Sequence, residues 1–292
     1  MSRFARRVMA GKKTPGGGGG GTGTITHGDQ VTTSNVGYTA YYDAALGRTL
    51  QLSDLTPITG EHYISDFAAP GDTLYKMHFG GGTTMDIDNV HFVGCRFDGS
   101  VRGYYNGNLT TGWTLDYCTF NPPVPDSECL VFQGYTATRC IIQGCMDGAK
   151  ANGGGTTFIE CYVRTSAQSS LDHNDGIQNV GGAGPLNVIR CNIDGKPDNA
   201  ALYGLGDGNS ALFLADGETG LQTIHDNLLA GGGYCVCMYD TGTFDVQGNK
   251  FVRGSFSYGT HAMAGPGSGP QNVTWGTIRT NTYSDNGQVI PL

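Results

Sequence analysis

The sequence of 292 residues has little charge and no long hydrophobic run. Asp, Glu, Lys and Arg make up only 14% of it, and no stretch approaches the roughly 20 apolar residues of a membrane span. Apolar residues do not recur at the helical spacing of about 3.6 residues, which excludes a helical bundle. The start of the chain is basic but lacks the apolar core, roughly 7–15 residues long, of a secretory signal, so we expect none.

The nine cysteines form no recognisable metal or disulfide pattern. Their number is odd, and no Cys-x-x-Cys pair has the second pair of ligands that a zinc site requires. Five of them occupy the key position of a repeat in which Asn later takes their place, and this indicates small buried side chains. We therefore favour stacked free thiols over disulfides or a metal, and folding in a reducing cytoplasm.

The chain instead contains 49 glycines and one short sequence motif that recurs along it. The motif consists of an apolar residue, two variable positions, a key position occupied by Cys or Asn, one more position and usually an apolar residue. Its key residues are Cys95, Cys118, Cys140, Cys161, Cys191, Asn227, Asn249 and Asn281. By subtraction they lie 23, 22, 21, 30, 36, 22 and 32 residues apart, roughly one solenoid coil each. With short β-rich runs between turn residues, this predicts an all-β fold, a right-handed parallel β-helix.

Three regions follow from composition and repeats. Residues 1–21 form a basic arm that ends in an unbroken glycine run, residues 22–88 an irregular N-terminal cap with the first strands, and residues 89–292 the coils. Solenoids need a cap over the exposed core. The polar C-terminal end is too short for an obvious cap, so we expect another subunit to cover it in a homo-oligomer, a trimer.

The arm is predicted to anchor the protein to a partner. Its cations are Arg3, Arg6, Arg7, Lys12 and Lys13, and it contains no acidic residue. The glycines behave as a flexible linker. The alternative is a solvated tail without a partner. The formal net charge of the whole chain is −8, which argues against broad nucleic-acid binding.

The runs Asn89–Phe97 and Asp172–Gln178 resemble a known family. Together with the weaker match at Ser34–Gly37, they are similar to pectate-lyase-like right-handed parallel β-helix proteins of actinobacteria and their bacteriophages, including minor tail and tail-fibre proteins. The resemblance covers residues 34–285. It implies the β-helix but no single activity, because this architecture is found in lyases, hydrolases, binding proteins and virion fibres. Pectate lyases use clustered Asp ligands for calcium with an Arg or Lys base, and that set is not found here, so we predict no cofactor.

Alignment of the coils on Asp-Gly predicts a carboxylate pair. Asp147 and Asp175 would stack on neighbouring coils, about 5 Å apart. Two carboxylates this close do not ionise together easily, so an acid and nucleophile pair is conceivable. His173 would relay a proton or bind substrate, and Lys150 would pair with a carboxylate or contact an acidic sugar. The alternative is that Asp-Gly only makes turns.

Aromatic residues give a second candidate surface. Tyr104, Tyr105 and Trp113 lie in or beside one inter-coil insertion and Tyr203 in another. Exposed, they would contact sugar rings; buried, they would belong to the core.

We therefore expect a bacteriophage virion protein, a tail fibre, minor tail or decoration protein, that contacts host-surface polysaccharide. Other virion proteins would bind its arm, and its location would be the virion. A polysaccharide lyase or glycoside hydrolase is the alternative, with an extracellular location. A glycan-binding or cell-envelope module without catalysis is a third.

Overall fold

The structure is a computed structural model that describes residues 31–292 except 106–107, 124–125, 132–133, 152–154, 181–183, 205, 216–219, 264–269 and 271. The described residues form 31 strands, three 3-10 helices (Tyr38–Ala40, Leu52–Asp54 and Ile64–Asp66) and one short α-helix, α1 (Ala200–Tyr203). No helix in these ranges has the length and apolar character of a membrane span.

The strands are short and follow one another around each coil. The first ten are β1 (Tyr42–Asp43), β2 (Arg48–Thr49), β3 (Thr56–Ile58), β4 (His62–Tyr63), β5 (Thr73–Tyr75), β6 (Met77–Phe79), β7 (Thr83–Thr84), β8 (His91–Val93), β9 (Arg96–Phe97) and β10 (Val101–Arg102). The middle coils contain β11 (Tyr104–Tyr105), β12 (Asn108–Leu109), β13 (Trp113–Asp116), β14 (Thr119–Phe120), β15 (Asp126–Val131), β16 (Tyr135–Thr138), β17 (Ile141–Ala151), β18 (Thr156–Ile159), β19 (Tyr162–Thr165), β20 (Asp175–Val180), β21 (Leu186–Ile189) and β22 (Asn192–Asp194). The last coils contain β23 (Ser210–Ala215), β24 (Leu221–His225), β25 (Leu228–Ala230), β26 (Tyr234–Met238), β27 (Thr243–Gln247), β28 (Lys250–Phe251), β29 (Gly259–Met263), β30 (Asn272–Trp275) and β31 (Thr282–Tyr283).

Parallel pairing between coils builds three stacked sheets. Sheet 1 contains β5, β8, β13, β16, β18, β21, β24, β27 and β30. Sheet 2 runs from β3 and β6 through β14, β17 and β19 to β28 and β31. Sheet 3 runs from β4 and β7 through β10, β15, β17, β20 and β23 to β26 and β29. Strand β17 belongs to both sheets 2 and 3. The predicted all-β parallel β-helix is confirmed.

A residue in the left-handed backbone conformation, with positive φ, forms the corner between sheets 1 and 2 in most coils. Gly94, Tyr117, Arg139, Glu160, Arg190, Asp226 and Gly248 each directly precede a key residue, with φ between 53° and 66°. This conformation costs a side-chain-bearing residue about 1 kcal/mol or more. Part of that cost is offset where Glu160 accepts hydrogen bonds from Arg139 Nε (2.6 Å) and Arg190 Nε (3.1 Å) on the neighbouring coils.

The key residues form a buried ladder that joins each coil to its neighbours. The thiol of Cys161 donates to Ala137 O (3.3 Å), and Asn249 Nδ2 donates to Ile224 O (2.8 Å). Both acceptors lie three residues before the key residue of the preceding coil. On the acceptor side, Cys161 N donates to Cys191 Sγ (3.4 Å), and Asn227 N donates to Asn249 Oδ1 (3.0 Å). Thiol and amide therefore satisfy the same two backbone groups, and the predicted interior column is confirmed.

Two cysteines outside the ladder correct the thiol prediction. Cys129 of β15 and Cys145 of β17 form a disulfide, whereas the other seven cysteines are free and buried. The pairing joins neighbouring coils across sheet 3. Counting cysteines along the sequence does not reveal such a contact.

The N-terminal region contains a segment on the outside of the solenoid and the first strands. The flank segment, residues 31–55, runs along the outside of sheet 2: Val31 and Val36 pack on Ile141, and Asn192 Nδ2 donates to Val31 O. The coils begin at β3, within the stretch for which a cap and the first strands are predicted. At this end, Ile64 and Ala68 of the first coil belong to the core cluster.

The last residues of the chain pack against the C-terminal end of the solenoid. Ile290 is 4% exposed and belongs to the core cluster. Its N–H donates to Asn281 O (2.9 Å), and its carbonyl accepts from Trp275 Nε1 (2.8 Å). The last residues therefore fold back over the end of the ladder.

Replacing Asn249 with Ala should destabilise the fold more than replacing Cys161 with Ala. The first change leaves Asn227 N–H and Ile224 C=O buried without their partner, at about 1–3 kcal/mol for each group. The second removes weaker sulfur hydrogen bonds and a small volume, for about 1–2 kcal/mol. Equilibrium urea unfolding, followed by circular dichroism, measures both losses. Equal losses would contradict the inference that Asn and Cys, although they occupy the same ladder position, form hydrogen bonds of different strength.

Candidate functional site

Asp147 and Asp175 lie next to each other on neighbouring coils, as the sequence predicts. The backbone N–H of Asp175 donates to Asp147 Oδ1 at 3.1 Å. Each residue is only 3% exposed. The pair therefore forms a buried carboxylate contact, not an open cleft.

A lysine and a second acid complete the contact on one side. Lys150 Nζ lies 3.2 Å from Asp147 Oδ2 and 3.0 Å from Glu128 Oε1. Glu128 Oε2 in turn lies 3.8 Å from Arg102 Nη2. The predicted pairing of Lys150 with a carboxylate is thus confirmed, with one partner on its own strand β17 and the other on β15 of the preceding coil.

An insertion between coils seals Asp175 on the other side. Insertion B, residues 195–209, ends at Asn209, whose Nδ2 donates to both Asp175 oxygens (3.0 and 3.2 Å). The Ser210 hydroxyl also donates to Asp175. Insertion B is held against insertion A, residues 166–174, by a hydrogen bond from Asn199 Nδ2 to Ala167 O (2.8 Å). The long repeat intervals thus place two insertions beside the carboxylates.

Burial sets the ionisation of the group. It raises the pKa of Asp175 to about 7, with the charge of Asp147 as a further contribution, against the hydrogen bonds from Ser210 and Asn209. Burial also raises the pKa of Asp147, against the attraction of Lys150. For Lys150, burial disfavours the charge, but Asp147 and Glu128 outweigh it and raise the pKa. Asp175 is therefore half protonated near neutral pH, and Lys150 keeps its charge.

The remaining predicted polar residue stays outside this group. His173 is exposed in the turn before β20. Within the described part of the chain it makes no hydrogen bond to either carboxylate. The geometry thus brings together Asp147, Asp175 and Lys150 but leaves the predicted relay apart.

The aromatic predictions have different outcomes. Trp113 is 0% exposed and stacks on Tyr135 at 5.5 Å, so its prediction as a sugar contact is wrong and it belongs to the core. Tyr203 is partly buried at the end of α1. Tyr104 and Tyr105 have their backbone in β11, but their side chains lie outside the described residues. So do the arm residues Arg3, Arg6, Arg7, Lys12 and Lys13.

A row of side chains along sheet 3 extends the candidate site. This outer row is one register line across the coils and contains Tyr63, Thr84, Arg102, Val131, Lys150, Gln178, Phe213 and Cys237. Most of its side chains reach solvent. Phe213 meets Tyr239 edge-on with ring centroids 6.0 Å apart. Among the described residues, the flank segment packs on sheet 2 and not on this face.

Sequence reasoning missed Glu128, Arg102 and Phe213. Glu128 pairs in register with Asp147, but it precedes Cys129 and not a glycine, so alignment on Asp-Gly passes over it. Counting residues in register from the ladder through β15 would have placed Glu128 opposite Asp147. No cluster of three or more His, Cys, Asp or Glu side chains suited to a metal ion occurs among the described residues.

Asp175 should make stability fall as pH rises from about 4 to 7. Its folded-state pKa of about 7 exceeds the ordinary 3.8. The protonated carboxyl therefore contributes stability that is fully present below about pH 3.8 and is lost as pH rises through 7, with a slope of at most about 1.4 kcal/mol per pH unit. Asp175→Asn, which stays neutral, should flatten this part of the curve.

Unfolding free energies of the wild type and the variant, measured between pH 4 and 8, test this expectation. Asp66→Asn, at an exposed carboxyl, is the matched control and should keep the wild-type slope. An unchanged slope in Asp175→Asn would contradict the assigned protonation.

Comparison of the chain with family models, with curated proteins and with solved structures finds no match. The resemblance found in the sequence therefore rests on its own residues.

Proposed function

We propose that this protein is a structural protein of a bacteriophage particle, of the tail-fibre, minor-tail or decoration type, whose β-helix binds a host-surface polysaccharide without cleaving it. The observation that carries the polysaccharide part is the outer row. It is a line of side chains in register across successive coils, most of which reach solvent, and such a line matches the linear course of a polymer.

The dimensions of the outer row suit an extended chain of several sugars. Arg102 and Phe213 are four register steps apart, and at about 4.8 Å per step this is roughly 19 Å. Lys150 and Gln178 lie between them with side chains that bear hydrogen-bond donors. Phe213 and Tyr239 offer an aromatic surface at the far end, a type of contact common in ligand sites.

Charge in the row favours a neutral polymer. Lys150 is the central cation, but Glu128 and Asp147 both lie within 3.2 Å of its Nζ. Its field is therefore largely cancelled locally. A hydroxyl-rich glycan, which both donates and accepts hydrogen bonds, fits this surface better than a polyanion.

The virion part of the proposal is supported by the family resemblance and by the basic, glycine-linked arm. Val31, where the described chain begins, lies beside Asn192 on the flank of the solenoid. Attachment through residues N-terminal to Val31 would therefore leave sheet 3 open to the host surface.

A polysaccharide lyase or glycoside hydrolase is the second candidate, and the carboxylate pair favours it. A pKa of about 7 for Asp175 is typical of a general acid. However, a glycosidase needs both carboxyl groups in reach of the scissile bond. Here both are buried, and Asp175 is already saturated by Ser210 and Asn209. This arrangement supports a structural role for the pair.

Phe213→Ala should weaken polysaccharide binding by about three- to tenfold, as expected for loss of one aromatic contact. Affinity electrophoresis with dextran, mannan and polygalacturonate measures retention. Tyr75→Ala, at an exposed aromatic residue on sheet 1, is the control and should bind as the wild type does. Failure of the wild type to be retained by any of the polymers would contradict the proposal.

The same incubations decide between binding and cleavage. We expect no new reducing ends and no unsaturated uronates after prolonged incubation. Soluble products that disappear in Asp175→Asn would establish the enzyme instead.

Deletion of residues 1–21 tests the attachment to the particle. The shortened protein should fold and bind polysaccharide normally, because the described coils do not include the arm, but it should no longer enter phage particles. Unimpaired incorporation, measured by immunoblot of purified particles, would contradict the anchor role.

A further inference from the structure

A polar cavity of about 310 Å³ lies at the first coils of sheet 3. Strands β4, β7 and β10 carry it, in the register His62 to Thr83 to Val101. Its lining consists of Glu61, His62, Tyr63, Gly82, Thr83, Thr84, Ser100 and Arg102. This volume lies at the lower end of the range of small-ligand sites, about 300–1,000 Å³.

Glycines occupy one register column beside the cavity. The column that holds Glu128, Asp147 and Asp175 in later coils holds Gly60, Gly81 and Gly99 in the first three. A Cβ on Gly81 would lie 2.3 Å from Gly60 O, and one on Gly99 would lie 2.6 Å from Gly81 C. The coils thus approach each other too closely for side chains here. The column that is filled by carboxylates further along is empty beside the cavity.

The lining offers both donors and acceptors. The Arg102 side chain is 53% exposed, and its ion pair with Glu128 is 3.8 Å long, beyond hydrogen-bond distance. Its N–H groups can therefore turn to a ligand. Glu61 supplies an exposed carboxylate. The His62 ring itself packs on Phe67 with ring centroids 5.4 Å apart, so the polar contacts to a ligand come from Arg102 and Glu61.

The cavity is continuous with the outer row. Tyr63, Thr84 and Arg102 belong to both. A polymer lying along the row in the direction of the first coils would bring its end to the cavity.

We propose that this cavity binds the terminal sugar of the polysaccharide as a single neutral, hydroxyl-rich ring. This inference rests on the proposed polysaccharide binding and adds the position and chemistry of the chain end. Glu61 and Arg102 place opposite charges in one lining, so neither an anion nor a cation gains from the net field. For a sugar carboxylate, the attraction of Arg102 is opposed by the Glu61 carboxylate in the same lining, so the cost of removing its charge from water is not repaid. Ring hydroxyls accept from the guanidinium and donate to the carboxylate.

Gly82 allows the cavity to be filled without disturbing the coil. It does not have a positive φ, and a Cβ there would be 3.9 Å from Glu61 Cγ, an ordinary contact. Gly82→Val therefore puts a branched side chain into the cavity. Gly206→Val is the matched control, since Gly206 has no positive φ and nothing within 4 Å of a Cβ.

Saturation-transfer NMR of the full chain with methyl glucoside, methyl galactoside, methyl mannoside and sodium glucuronate tests the proposal. We expect at least one neutral glycoside to bind the wild type and Gly206→Val, with loss of its signal in Gly82→Val and at least about tenfold weaker binding in Arg102→Ala. Glucuronate should bind more weakly than that glycoside. Thermal unfolding reports whether the variants fold; if Gly82→Val does not, Arg102→Ala carries the test.

Absence of any neutral glycoside signal in the wild type would overturn the proposal, as would equal signals in the wild type and Gly82→Val. In either case, retention of dextran or mannan that is weakened by Phe213→Ala would leave the polysaccharide-binding row in place. Loss of both would overturn the row and the cavity together.

Discussion

The rest of the structure depends on the register between coils, and the key-residue ladder fixes that register. Each key side chain except Cys191 bonds one carbonyl of the preceding coil, and Cys191, Asn227, Asn249 and Asn281 accept from a backbone N–H there. A slip by one residue would leave these buried groups unpaired and would turn the core side chains outward. Amide side chains do this with bonds near 2.9 Å and thiols with longer ones. The positive φ of the residue before each key residue except Asn281 costs conformational free energy where that residue bears a side chain, and this conformation makes the corner that keeps the ladder aligned.

Within this register, one column of sheet 3 carries carboxylates in the middle coils and glycines in the first coils. Where it carries Glu128, Asp147 and Asp175, Lys150 pairs with the first two, and Asn209 of insertion B donates to Asp175. Where it carries Gly81 and Gly99, the coils close up on themselves and the polar cavity opens alongside. The outer row runs past both. The proposed role in polysaccharide binding follows from this juxtaposition, since a polymer can follow the row while its end enters the cavity.

The features that recur along the chain could be predicted from the sequence. Contacts between residues that are neighbours only in space were missed. The ladder was visible because Cys161 and Asn249 return at a fixed place, and the contact of Asp147 with Asp175 followed from the same count. Glu128 was missed because its neighbour is not glycine, and the disulfide of Cys129 and Cys145 because pairing across coils leaves no spacing signal. Trp113 lies next to an insertion in the sequence and was therefore predicted as a candidate sugar contact. As the first residue of β13, however, it faces the core. The flank segment has no period of its own, so only its contacts with Ile141 place it.

Amide hydrogen exchange in the presence of each retained polysaccharide tests the central claim, that sheet 3 is the binding face, most directly. The account predicts slower exchange in peptides covering β7, β10, β17 and β20, with no change in β8, β13 and β18 of sheet 1. Protection confined to sheet 1 or to the flank segment, or none in sheet 3 under saturating polymer, would contradict it.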